Sequence, residues 1–180
     1  AGVDSISGGA GDDAINYAAV ASFRSLASAE TVDGGAGKDT MDFTENASTT
    51  ISAADLANVS NVEVIDFSGN GAASITLVDS VLAANPGLKF TDTQATAALT
   101  IDATALTSAQ SLNVTVANNN STVESLKGGA GDDTFTMSTA GNATGFDAPD
   151  VIDGNGGTDT LAVTLKTNNL TGLTLTNVAD

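Results

Sequence analysis

Short runs in which apolar and polar residues alternate recur along the chain, and they predict β-strands. A period of two puts every second side chain on the same face of a strand, and the Thr and Val in these runs favour that conformation. The runs recur about every ten to thirteen residues, with Gly, Asn, Asp and Ser between them, so we predict the coils of a β-solenoid. The apolar positions of the central runs are Val62 and Val64, Ile75 and Leu77, Leu88 and Phe90, Leu99 and Ile101, and Leu112, Val114 and Val116.

Two short segments have helical features. Ser52 and Asp55 have the spacing of a capping box at the start of a helix. Residues 79–84 are long enough for about one helical turn, which Pro86 would end. Neither segment is long enough to be a stable helix alone, so we interpret both as corners of the solenoid.

A Gly-rich unit of the form Gly-Gly-x-Gly-x-Asp-x-apolar occurs four times. The interval from the leading Gly8 to the leading Gly34 equals the interval from Gly128 to Gly154. The fourth unit has Asn155 in place of its second glycine, and Asn is the residue other than glycine that best tolerates a positive φ. The chain therefore holds two copies of a paired unit, separated by a long insert.

Acidic residues flank every unit. The chain has 22 acidic and 5 basic residues, for a formal net charge of -17. Glycines permit tight turns in which backbone carbonyls converge, and we expect the flanking acids to bring carboxylates to the same turn. The acids four positions before the leading glycines are Asp4, Glu30, Glu124 and Asp150, and those at the sixth position of the units are Asp13, Asp39, Asp133 and Asp159.

This set of donors contains oxygen alone, which is the preference of Ca²⁺. The chain has no His and no Cys, the usual ligands of zinc and copper. One turn supplies only part of a coordination shell. If one coil spans the interval from Gly8 to Gly34, the Gly34 turn lies over the Gly8 turn. We therefore predict calcium between adjacent coils, where it separates carboxylates that would otherwise repel one another.

The units resemble the Gly-Gly-x-Gly-x-Asp nonapeptides of the RTX family, a calcium-binding parallel β-solenoid repeat. The resemblance implies a right-handed, all-β parallel β-solenoid (β-helix or β-roll) that binds several calcium ions. It also implies that the sixth-position aspartates supply side-chain oxygen and that the four upstream acids occupy the same position in the preceding half-coil. The turn carbonyls that it implies as further ligands are those of Gly8, Ala10, Gly34, Ala36, Gly128 and Ala130.

The interrupted layout of the units is similar to that of RTX-type surface-layer (S-layer) proteins of Gram-negative bacteria. There, short Gly-rich blocks are followed by Asn-Val-Glu segments and by Thr-rich β regions, as at Asn61–Glu63 here. We therefore expect one solenoid segment of a larger protein, with an RTX pair at 1–43, Thr-rich β coils at 44–120, a second pair at 121–163, and the start of the next β region at 164–180.

The leading hypothesis is a calcium-stabilised structural segment of an S-layer, which is secreted unfolded by type I secretion and folds outside the cell. Its expected partners are calcium, copies of itself in a lattice, and cell-surface polysaccharide reached through other domains. The alternative is a calcium-binding spacer or binding region of an RTX adhesin. A flat ladder of Thr would favour a binding face, but the Thr residues follow no single coil spacing in the sequence.

Other functions fit the composition less well. The acidic charge argues against nucleic acid and anionic lipid, and no apolar run is long enough for a membrane span. We expect no enzyme, because the chain has no His and no nucleophile motif. The isolated acids of the insert are interpreted as solvated turn residues. These acids are Asp66, Asp79, Asp92 and Asp102.

Overall fold

The paired strands of the protein are parallel and stack as a β-solenoid. A computed structural model describes residues 4–23, 30–94, 96–117, 122–137, 150–164 and 174–178. Within these ranges the chain forms sixteen β-strands and two short α-helices. Each strand pairs with strands about one coil away, in parallel, which confirms the predicted fold class. The right-handed sense of the coil stays a prediction, in line with the usual handedness of parallel crossovers.

The strands form three sheets, each of which runs along the solenoid. The three-stranded sheet has the order β1 (Ser5–Ala10), β3 (Thr31–Ala36), β6 (Val59–Ser60). The seven-stranded sheet comprises, in chain order, β2 (Ala14–Tyr17), β4 (Thr40–Phe43), β7 (Val64–Phe67), β9 (Lys89–Asp92), β11 (Asn113–Val116), β13 (Thr134–Met137) and β15 (Thr160–Val163). The six-stranded sheet comprises β5 (Thr49–Ile51), β8 (Ala73–Thr76), β10 (Leu99–Asp102), β12 (Ser125–Lys127), β14 (Val151–Asp153) and β16 (Thr174–Thr176).

The path of the coil changes along the chain. From β3 to β8 the chain visits the three-, seven- and six-stranded sheets in turn, whereas from β9 onward it alternates between the seven- and six-stranded sheets. The two Gly-rich pairs therefore follow strands of different sheets. The first pair continues β1 and β3 of the three-stranded sheet, and the second pair follows β12 and β14 of the six-stranded sheet.

The core consists of columns of inward side chains, one from each coil. In the six-stranded sheet, Ile75 lies in register between Ile51 and Ile101, and all three are almost fully buried. In the seven-stranded sheet, the rings of Phe43 and Phe67 stack with centroids 5.6 Å apart. Identical or similar apolar side chains thus repeat at the same place in successive coils, which explains the alternation in the sequence.

One of the two predicted corners is helical. α2 (Asp79–Ala84) ends where predicted, and the buried Asn85 side chain follows it, donating to the carbonyl oxygens of Val59 and Val81. The segment after Ile51 forms turns instead of a helix, although the Ser52 amide donates to Asp55 Oδ2 at 2.7 Å and the Asp55 amide donates to Ser52 Oγ at 3.4 Å, as in a capping box.

A short helix, α1 (Val20–Phe23), was not predicted. Among the helices described, none is long and apolar enough to cross a membrane. The seven-stranded sheet runs through both Gly-rich pairs and the insert between them. The division of the chain into four parts stays a prediction, and its boundary between residues 120 and 121 lies outside the described residues.

We expect Phe67→Ala to destabilise the solenoid by about 3–5 kcal/mol, because it removes a buried ring that stacks on Phe43 and leaves a cavity. Denaturant unfolding at saturating calcium measures this change. The control is Thr115→Ala, which alters an outward-facing residue of β11 and should stay within about 0.5 kcal/mol of the unmodified protein. Equal effects of the two substitutions would contradict the assignment of the core.

Candidate metal centre

The Gly-rich turns of each pair stack directly on one another. In the first pair Gly9 lies in register with Gly35 and Ala10 with Ala36, and the Gly11 amide donates to the Ala36 carbonyl at 2.7 Å. In the second pair, Gly156 donates through its amide to the carbonyl of Gly129. The predicted coil length is thus confirmed, and turns of neighbouring coils lie in contact.

Two different constraints account for the glycines. Gly9 and Gly11 have φ of 99° and 109°, and Asn155 at the equivalent second position has φ of 64°, which confirms that Asn serves as a substitute there. In the third unit Gly129 lies outside the left-handed region, but a Cβ on it would lie 2.6 Å from the Cβ of Leu106. In that unit the glycine is required by close approach of the neighbouring coil instead of by backbone conformation.

The sixth-position aspartates form ladders along the solenoid. The Asp13 amide donates to Asp39 Oδ1 at 2.8 Å, and the Asp133 amide donates to Asp159 Oδ1 at the same distance. Each aspartate therefore ties its own turn to the turn of the adjacent coil. The structure brings together the sixth-position acids within each pair, but it keeps the two pairs apart, because the insert coils lie between them.

The second carboxylate oxygen of three of these aspartates is buried without a hydrogen-bond donor. The atoms are Oδ2 of Asp13, Asp39 and Asp159. A carboxylate oxygen shielded from water and left without a donor is unfavourable, and a cation beside it removes that cost. The ladder supplies such oxygens beside turns rich in backbone carbonyls, so the residues present fit calcium.

In the third unit, both carboxylate oxygens of the aspartate have hydrogen-bond donors from the protein. Asp133 accepts hydrogen bonds from the amides of Leu112, at 2.6 Å, and Gly129, at 2.8 Å. Burial raises the pKa of the Asp133 carboxyl, these two hydrogen bonds lower it, and the negative charges of Asp159 and Asp132 raise it further. The protein itself thus supplies donors to the charge of Asp133, whereas the other three aspartates each keep one oxygen without a donor.

The upstream acids do not converge on the Gly-rich turns, contrary to the expectation from sequence. Asp4 and Gly8 are four residues apart along a strand that begins at Ser5, a separation of about 13 Å at about 3.3 Å per residue. In the second pair Glu124 precedes β12 and Gly128 follows it. The upstream acids therefore form separate rows at the opposite ends of these strands, and any calcium ligands they supply belong to other ions than those of the turns.

Three of the four upstream acids are buried. Glu124 and Asp150 are fully buried, and the Glu124 amide donates to Asp150 Oδ1 at 2.9 Å. Glu30 is also buried and accepts a hydrogen bond from the Tyr17 hydroxyl at 3.3 Å, whereas Asp4 is exposed. Burial raises the pKa of Tyr17, and the charge of Glu30 raises it further.

The carbonyls predicted as ligands lie at the ends of strands or in the turns. Gly8 and Ala10 belong to the end of β1, and Gly34 and Ala36 to the end of β3. Gly128 and Ala130 lie in the turn after β12, where the Gly128 carbonyl accepts a hydrogen bond from the Asn155 side chain at 2.7 Å. Their role as ligands stays a prediction. Among the described residues no group of three acidic side chains lies close enough to hold an ion, so a calcium ion bound at these turns would need backbone carbonyls or water as further ligands.

Three polar residues that are buried or hydrogen-bonded were not predicted from the sequence. Asp92, interpreted as a solvated turn residue, is fully buried and accepts a hydrogen bond from the amide of Gln94, so that interpretation was wrong. Gln94 is 1% exposed and its Oε1 has no hydrogen-bond partner. Glu63 joins the ladder of Asp13 and Asp39. The signal for Asp92 was its inward phase, two residues after Phe90.

The stacked turns and their carboxylates define a calcium-binding β-solenoid. The family description "RTX calcium-binding nonapeptide repeat" matches the chain in four copies, at residues 1–19, 27–45, 120–136 and 144–162. The chain is therefore a calcium-binding repeat protein of the RTX type. Such repeats are typical of secreted proteins, which indicates an extracellular location. No curated protein and no solved structure matches the chain significantly.

We expect Asp39→Asn to weaken calcium binding by on the order of tenfold, because it removes charge from a buried ligand position while an amide oxygen can still accept from Asp13. Calorimetric titration of chelator-treated protein measures the change. Asp79→Asn is the matched control, since Asp79 caps an exposed turn through Thr107. An unaltered titration of the Asp39 variant would contradict the ligand role.

We also expect Gly34→Ala to cost about 1–3 kcal/mol and to raise the calcium needed for folding, because the new Cβ would lie 1.9 Å from the Asn61 carbonyl oxygen. Gly156→Ala is the control, since its Cβ would meet nothing closer than 3.6 Å. Circular dichroism across a calcium titration compares the two. If both variants fold at the same calcium concentration, close stacking is not what requires Gly34.

Proposed function

We propose that the chain is a structural segment of a bacterial surface layer, which folds on calcium binding after secretion and assembles into a cell-surface array. The observation that carries the proposal is the stack of Gly-rich turns whose buried aspartate oxygens lack donors. The alternation of RTX repeat turns with Thr-rich coils in one continuous solenoid supports the proposal. This arrangement suits a rigid extracellular scaffold.

The proposed mechanism couples metal binding to folding. Calcium supplies positive charge to the carboxylates of adjacent turns. Without it, the ladder of Asp13 and Asp39 places buried negative charge in a chain whose net charge is -17, and repulsion favours an open chain. Because the turn geometry exists only in the folded state, the free energy of binding contributes to folding. A chain open at low calcium inside the cell suits type I secretion, and it would then fold outside.

The proposal excludes catalysis. The chain has no His, and only 5 basic residues are available to stabilise an anionic transition state. We assign the phased acids of the repeats to calcium binding and not to a catalytic pair of carboxylates. We therefore infer a structural protein whose partners are calcium and copies of itself, with polysaccharide contacted by other domains.

A second candidate is a binding region of an RTX adhesin, and one feature of the outer surface favours it. Thr50, Ser74, Thr100 and Ser125 lie in register on the outward face of four adjacent strands of the six-stranded sheet. Their intervals along the sequence are unequal. The lack of one fixed spacing therefore argued against a ladder of hydroxyls at the level of sequence, and that interpretation was misleading. Hydroxyls about 4.8 Å apart form a regular row of donors and acceptors.

Calcium titration of chelator-treated protein, followed by far-UV circular dichroism and by electron microscopy, tests the proposal. We expect β signal to rise between micromolar and millimolar calcium, without a comparable rise in magnesium, and ordered arrays to form only after folding. Folding without arrays, together with retention on a polysaccharide matrix, would favour the adhesin. A chain that is already fully folded in chelator, with no heat on calcium addition, would contradict the proposed coupling of calcium binding to folding.

A further inference from the structure

The segment Asn61–Glu63 lies on the second Gly-rich turn, outside the four matched repeats. A Cβ on Gly34 would lie 1.9 Å from the Asn61 carbonyl oxygen, just as a Cβ on Gly8 would lie 2.3 Å from the carbonyl oxygen of Gly34. Asn61 has φ of 53°, a conformation that among residues other than glycine favours Asn. The segment therefore forms a third layer on the first stack of turns.

Glu63 continues the carboxylate ladder into this layer. The Asp39 amide donates to Glu63 Oε2 at 2.8 Å, which is the relation that Asp39 Oδ1 has to the Asp13 amide. The strands that follow, β4 and β7, pair in register from Thr40 and Val64, so Asp39 and Glu63 occupy equivalent places in adjacent coils. Glu63 therefore accepts a hydrogen bond from the second turn in the same way that Asp39 accepts one from the first.

Two buried aspartate oxygens of the first stack lack donors, Asp13 Oδ2 and Asp39 Oδ2. Asp39 Oδ2 lies near the Asn61 carbonyl oxygen, since a Cβ on Gly34 would meet both atoms. Asp39 is fully buried. We propose that Glu63 is an additional calcium ligand, which completes a site between the turn at residues 34–39 and the segment Asn61–Glu63.

The second stack offers an internal comparison. Asn177 has φ of 50°, and its side-chain amide donates to Asp153 Oδ1 at 2.9 Å, as that of Asn61 donates to Asp33 Oδ1 at 2.8 Å. A Cβ on Gly154 would lie 2.5 Å from the Asn177 carbonyl oxygen. Both pairs are thus covered by an Asn layer, but the sequence has Ala179 where the first layer has Glu63. The Asn therefore covers the last turn in both stacks, and Glu63 adds a ligand in the first stack alone.

The test is Glu63→Gln, which removes the charge but keeps an oxygen that can accept from the Asp39 amide. Native mass spectrometry of chelator-treated chain reloaded with calcium counts the bound ions. We expect the variant to bind one calcium ion fewer than the unmodified chain, with calorimetry showing loss of the same site. Glu45→Gln is the control, since Glu45 Oε2 also accepts a backbone amide of the adjacent coil, that of Val20, at 2.8 Å.

An unchanged ion count and affinity in the Glu63 variant would overturn the proposal, as would an equal loss in the Glu45 variant. If the variant fails to fold at a calcium concentration that folds the unmodified chain, calcium is raised. Recovery at higher concentration supports a weakened site, and failure to recover at saturation refutes it. The inference rests on calcium binding by the repeats and not on array formation, so failure of assembly leaves it standing.

Discussion

The turns of this solenoid are shaped by carboxylates that lie inside the protein between stacked coils. Asp39 is fully buried, binds the amide of the coil next to it through one oxygen and has no donor for the other. Glycine lets the coils approach closely enough to bury that charge, since a side chain at Gly34 would overlap the neighbouring carbonyl. Close stacking and cation binding therefore support each other, because a buried charge without a partner is unfavourable.

The insert coils place leucine at the position where the calcium turns place an acid. In the seven-stranded sheet, Asp39 precedes β4 and Glu63 precedes β7. The residue at the same position is Leu88 before β9 and Leu112 before β11. Both leucines are almost fully buried. Burial of such a side chain contributes about 1.5–3 kcal/mol, so apolar packing replaces the ion in these coils. The acids return at Asp133, whose charge is balanced by amides from the leucine coil and from its own turn.

Much of this arrangement follows from local sequence. The period of two predicts the strands, and the equal intervals between leading glycines predict which turns lie on one another. The hydroxyl row of Thr50, Ser74 and Thr100 was not predictable in the same way, because loops of differing length absorb differences in coil length while the strands keep register. Glu63 was hidden for a related reason. It belongs to no Gly-rich unit, and only strand pairing places it beside Asp39.

The position of the calcium turns within the solenoid has a consequence for its cooperativity. Each coil contacts mainly its immediate neighbours, so stability is transmitted from one coil to the next. The leucine coils between Glu63 and Asp133 have an acid-bearing coil on either side. Their apolar columns are complete only when those flanking coils are ordered, since Phe90 packs in register with Ile65 and Val114 with Phe135. Ordering of the flanking turns by calcium therefore favours the insert as well, even though its own coils place leucine where the calcium turns place an acid.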